Sequence, residues 1–170
     1  MSDQYKINVV EDGNAMAFTY AECMHYHGFL LPGGAAHGFQ ALARAIQELS
    51  PDTAPERRDF SVETSFVGRG ARDAIEMVTR SSSEDRYKIE PSLAKPERGH
   101  IAGYVFKFTY RGKTVTVQVK EGLVLEEFIQ LVKKGSTRSA DEETRIVYLR
   151  KEMAGRLMAL KPEDVYEVIA

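Results

Sequence analysis

Two alternating runs joined by a tight turn restrict this chain more than any other feature. Ala102 to Tyr110 reads as a strand, Arg111-Gly112-Lys113 as a turn, and Thr114 to Lys120 sets Val115, Val117 and Val119 against Thr116, Gln118 and Lys120. Alternation on both sides of a glycine turn predicts an antiparallel hairpin. Helical spacing dominates elsewhere. Phe39, Leu42, Ala43, Ile46 and Leu49 form an amphipathic face over about Ala36 to Leu49. An earlier helix is expected from about Ala15 to Tyr26, capped by Asn14 and ended by Gly28. Phe60 to Val67 alternates as a strand, and a third helix is expected over Ala71 to Thr79. Further helices are expected from Leu125 to Lys134 and from Asp141 to Leu160, with Pro162-Glu163-Asp164 opening a last turn. This order fits neither strict β-α alternation nor an all-helical chain. It predicts an α+β domain with a partly antiparallel sheet. Residues 1–122 form its core, and 123–170 a helical extension of the same domain.

Bulk chemistry narrows the function classes. With 170 residues, 43% of them hydrophobic, the chain can bury a core without disulfides or metals. Lys plus Arg number 23 against 25 Asp plus Glu, a formal charge of −2, which argues against a nucleic-acid partner. The pairs Arg57-Arg58 and Lys133-Lys134 are short and isolated. One cysteine, Cys23, precludes an intrachain disulfide and a four-cysteine zinc ribbon. No signal-peptide pattern opens the sequence, and no apolar run approaches the ~18 residues of a membrane span. A cytoplasmic location without membrane contact is the expectation.

Three places carry residues suited to chemistry. In Cys23-Met24-His25-Tyr26-His27, a helix puts Cys23 and His27 on one face, and His37 could join them around zinc or iron. The plain alternative is a buried Cys23 with His27 at a helix C-terminus. In Gly68-Arg69-Gly70-Ala71-Arg72-Asp73, glycines, two arginines and a helix start suit an anion, though the spacing is not that of a phosphate loop. Here the alternative is a tight strand-to-helix turn, with Asp73 capping the helix or pairing with an arginine. The third, Gly28 to Gly34, also leads into a helix, or is simply a turn needing small residues. No Ser-His-Asp pattern or dinucleotide fingerprint stands out.

These turns resemble the FmdE-like family, which takes its name from formylmethanofuran dehydrogenase. Its His-Gly-His-hydrophobic-Cys-Pro-Gly stretch corresponds to His27-Gly28-Phe29-Leu30-Leu31-Pro32-Gly33, and its Gly-aromatic-basic-Ala helix to Gly38-Phe39-Gln40-Ala41. Its Cys-Gly-Val-Asp-Ala-Ile stretch looks like Gly70-Ala71-Arg72-Asp73-Ala74-Ile75, and the end from Leu160 to Val168 is similar too. The resemblance implies a fold like the catalytic domain of glyceraldehyde-phosphate dehydrogenases, with helices on one face of a mixed sheet, usually as a homodimer. It also implies a pocket in which the motif His and Cys residues hold a metal, commonly zinc. Here Phe29, Leu31 and Gly70 stand where the family has its second histidine and two cysteines, so this is a degenerate member and only His27 remains. The altered pocket is expected to take a small organic anion, with Arg69, Gly70, Arg72 and Asp73 as binding residues and His27 as the acid/base group. A metal-binding accessory protein using Cys23, His27 and His37, or a non-catalytic component of a larger complex, is the alternative.

Overall fold

The computed structural model describes residues 5–170; residues 1–4, which open the expected core, lie outside the described residues. The chain begins with a hairpin, not with the helix expected from Ala15. Strands β1 (Lys6–Glu11) and β2 (Asn14–Thr19) pair antiparallel, from Lys6 opposite Thr19 to Glu11 opposite Asn14. Asp12 and Gly13 turn the chain with φ of 48° and 80°, the positive pair that a two-residue hairpin turn requires. Asn14 caps no helix, and its amide instead donates to the Glu11 and Asp12 carbonyls. Helix α1 (Tyr20–His27) starts later, where Thr19 and Glu22 form a reciprocal capping box. It ends at Gly28, whose φ is 90°.

Helix α2 (Pro32–Leu49) runs through the middle of the molecule and starts four residues before the expected Ala36. Pro32 suits a first helical position because its missing N–H would have had no partner there. Gly38 is required in this helix because backbone of the neighbouring helix packs too closely for any side chain. A Cβ on Gly38 would lie 2.5 Å from the Ala71 carbonyl oxygen of helix α3 (Arg69–Thr79). A buried Arg57 secures the far end of α3 by donating to the Met77 and Val78 carbonyls.

Five strands form a mixed sheet in the order β4-β3-β5-β6-β7. The expected hairpin is its centre: β5 (Val105–Tyr110) pairs antiparallel with β6 (Lys113–Val119) across a turn at Arg111 and Gly112. Strand β3 (Phe60–Thr64) pairs with β5, and Phe60, Val62, Phe106, Phe108, Val115 and Val117 are buried in the core. The short edge strands β4 (Tyr87–Ile89) and β7 (Tyr166–Val168) had no counterpart in the expected elements. β4 lies parallel to β3, and β7 antiparallel to β6.

The stretch after residue 122 contributes more than helices. It holds α4 (Glu126–Lys134), α5 (Ala140–Met158) and α6 (Pro162–Val165), and then returns to the sheet as β7. Gln40 of α2 donates to the Leu157 and Leu160 carbonyls at the end of α5, and His37 bonds the Tyr166 hydroxyl at 2.9 Å. Met153, Leu157, Val165 and Tyr166 join the main core. This is an α+β fold. No helix of the described residues is long and apolar enough to cross a membrane.

Candidate functional site

Helices α2 and α3 begin side by side. A Cβ on Gly34 would stand 3.4 Å from Gly70 Cα, and one on Gly70 would stand 2.9 Å from the Leu31 carbonyl oxygen. The turn after His27 and the arginine-bearing turn therefore meet within a single chain. Neither helix has a side-chain cap: Leu31 and Gly68 occupy the cap positions, and neither makes a side-chain capping bond. First-turn N–H groups of both helices are thus left for solvent or a ligand, at the positive ends of two helix dipoles.

One lobe of the cleft lies between the end of α1 and the start of α3. Its volume is about 250 Å³, and it is lined by His27, Leu30, Leu31, Arg69, Arg72 and Asp73. The i, i+3, i+4 spacing of Arg69, Arg72 and Asp73 sets them on one face of α3. His27, the last residue of α1, meets that face: its Nδ1 lies 2.7 Å from Asp73 Oδ2. Arg72 donates to the other oxygen, Oδ1, from Nε at 3.2 Å and Nη2 at 3.0 Å. Asp73 therefore pairs with Arg72 and His27 and does not cap the helix. An ionised carboxylate only accepts hydrogen bonds, so His27 carries its proton on Nδ1. Nε2 is then a lone pair in the neutral ring and a donor in the cation. The His27 side chain is only 7% exposed, and Nε2 is buried without a hydrogen-bond partner.

A second, apolar lobe shares Leu31 with the first. Leu31, Phe66, Tyr104, Phe128, Ile129 and Val132 supply its walls, glycines of both helix starts its floor, and its volume is about 220 Å³. Arg150 of α5 is its only charged lining residue. Nothing in the sequence sets Arg150 apart from the other arginines of that helical stretch; only the packing of α5 against α2 brings it here. A third groove, about 250 Å³, lies on the other flank of Arg69 and Arg72, beside Ser82 and Tyr87. The Tyr87 hydroxyl is buried there without a partner.

The three metal-ligand candidates are placed differently. Cys23 is fully buried, and burial, with Glu22 nearby, pushes its thiol up to about 12. His37 is also fully buried, beside Phe66, Tyr104 and Tyr166, and burial lowers its pKa to about 3. It is a neutral core histidine. Among the described residues no group of three or more His, Cys, Asp or Glu is placed to hold a metal ion. The metal implied by the resemblance does not fit here: Leu31 and Gly70 offer no ligand atom, and Phe29 stands 71% exposed.

Fold and site together define an α+β domain whose cleft is framed by two uncapped helix starts. A family model described as "FmdE, Molybdenum formylmethanofuran dehydrogenase operon" matches residues 26–167, most of the chain. The protein belongs to this family. No curated protein matches it.

Proposed function

We propose that this protein binds a small organic anion in the lobe between α1 and α3, with His27 as hydrogen-bond donor or acid/base group. The observation that carries this reading is the 2.7 Å pairing of His27 Nδ1 with Asp73, which leaves Nε2 buried and unpartnered. An unsatisfied buried polar atom costs about 1–3 kcal/mol, so its retention favours a partner acquired in function. Arg69, Arg72 and the uncapped start of α3 make an anion the matching partner. The family description refers to an operon and specifies no reaction for this chain.

The test is calorimetric titration with a panel of small carboxylates. Replacing Arg72 by Ala is expected to weaken binding by about tenfold, the scale of one charge-assisted hydrogen bond at a half-exposed site. The melting temperature should stay unaltered, because the exposed pair that Arg72 makes contributes little stability. Equal affinity in the variant sinks the reading. Elemental analysis of protein purified without a histidine tag adds a second arm, since stoichiometric zinc or iron would replace it with a metal-binding role.

A further inference from the structure

Arginines show where this molecule leaves positive charge uncommitted. Arg44, Arg57, Arg58, Arg72, Arg80, Arg86, Arg98, Arg111, Arg138, Arg145 and Arg156 each have a hydrogen-bond or ion-pair partner. Among the described residues, Arg69 and Arg150 alone have neither. Both line the cleft: Arg69 the His27 lobe, Arg150 the apolar lobe next to it.

Arg150 is the more informative of the two. It is half-buried, and burial lowers its basicity, with Arg138 acting in the same direction and Glu143 against. A guanidinium drawn partly out of water loses hydration, and apolar walls return nothing for it. Other partly buried arginines here recover that loss through carbonyls or carboxylates, as Arg156 does with Leu123 and Glu152. A lone cation on an apolar lobe is complementary to an amphipathic molecule, with a carboxylate for the cation and a hydrocarbon body for the walls.

We propose that the apolar lobe binds an organic acid with a hydrophobic body, aromatic or branched, whose carboxylate pairs with Arg150 while the body packs against Phe66, Tyr104, Ile129 and Val132. This deepens the reading above, taking from it that the ligand is a small organic anion and adding the chemistry of its body. The volume of about 220 Å³ gives room for one ring or a short branched chain. The uncapped starts of α2 and α3 at the floor add N–H groups that favour the same charge.

The experiment titrates the full chain with three probes: phenylacetate, acetate and benzyl alcohol. Phenylacetate is expected to bind at least about tenfold more tightly than either probe carrying only one of its two features. Arg150→Gln should reduce phenylacetate affinity by about tenfold or more. Val132 is 45% exposed at the lobe, so Val132→Phe should fill the lobe and reduce binding while the fold is kept. Loss in both variants supports the proposal, whatever Arg72→Ala does. If Arg72→Ala loses phenylacetate and Arg150→Gln keeps it, this inference falls and the His27-lobe reading stands. Acetate binding as tightly as phenylacetate, or no saturable phenylacetate binding at all, also overturns it.

Discussion

Replacing Gly70 by alanine tests whether the two helix starts are held together as closely as the site requires. The added Cβ would lie 2.6 Å from the Ala35 nitrogen and 2.9 Å from both Gly34 C and the Leu31 carbonyl oxygen. All three are backbone atoms at the start of α2, so no rotamer change relieves the clash. Favourable carbon contacts lie at roughly 3.5–4.0 Å, so the helices must part by about an ångström. Overpacking of that kind costs about 1–3 kcal/mol, offset by up to about 1 kcal/mol because alanine restricts the unfolded chain. The net loss is up to about 3 kcal/mol, and at about 2–4 °C per kcal/mol for a chain of this length the melting point falls by up to about 12 °C. Gly155 is the control. It lies in α5, and a Cβ there would meet nothing within 4 Å. Gly155→Ala should gain about 0.5–1 kcal/mol and melt about 1–4 °C higher. Far-ultraviolet circular dichroism melts at one protein concentration measure both. A Gly70→Ala variant melting at or above the wild type, while Gly155→Ala melts higher as expected, refutes the packing on which the cleft depends.

The buried His37 makes stability depend on pH in a defined direction. Its folded pKa is depressed to about 3, so below the ordinary value of 6.5 the unfolded chain takes up a proton that the folded chain refuses. Relative to His37→Gln, the wild type should therefore lose about 1.4 kcal/mol per pH unit as pH falls from about 6 towards 4, measured by denaturant titration; a difference independent of pH contradicts this. Arg57 donates to the Val78 carbonyl at 2.8 Å and the Met77 carbonyl at 2.7 Å. Its replacement by Met, which keeps the stem and removes the donors, should cost about 2–3 kcal/mol and fray the end of α3, read as faster amide exchange there.

The sequence made some of this legible and hid the rest for physical reasons. The β5–β6 hairpin announces itself because apolar Phe106, Phe108, Val115, Val117 and Val119 alternate with polar residues on both sides of a glycine turn, even though Thr116 and Gln118 of β6 are buried as well. Helices α2 and α3 were visible for the corresponding reason at a period of 3.6. The β1–β2 hairpin is hidden in the sequence because Ala15 and Ala17 carry weak strand preference and Asn14 is a good helix cap. The decisive signal was the Asp12-Gly13 pair between two short runs. β4 and β7 span three residues each, too few for any periodicity; their neighbours β3 and β6 make them strands. His27, Arg69, Arg72 and Asp73 were readable because they sit at element ends, where a short stretch of chain determines the surroundings. Arg150 was not, because its place in the cleft depends on how α5 packs against α2, which no local pattern encodes.

Charge in the cleft runs opposite to charge in the whole molecule. The chain carries a formal −2, while the cleft brings together Arg69, Arg72, Arg150 and two positive helix ends against one carboxylate, Asp73. That carboxylate would repel an anion if it faced the lobe unengaged. Instead Arg72 takes one of its oxygens and His27 the other, so the group that orients the imidazole is also the group whose charge is most compensated. Orientation of His27 and tolerance of an anion thus come from the same three side chains. A global charge of −2 cannot draw anions from a distance, so on the proposed reading the attraction is local. It should weaken as added salt shortens the screening length from about 10 Å at 0.1 M towards about 3 Å at 1 M. Because Arg69 and Arg72 are exposed and Arg150 is half-buried, salt should weaken binding in the His27 lobe more than in the apolar lobe.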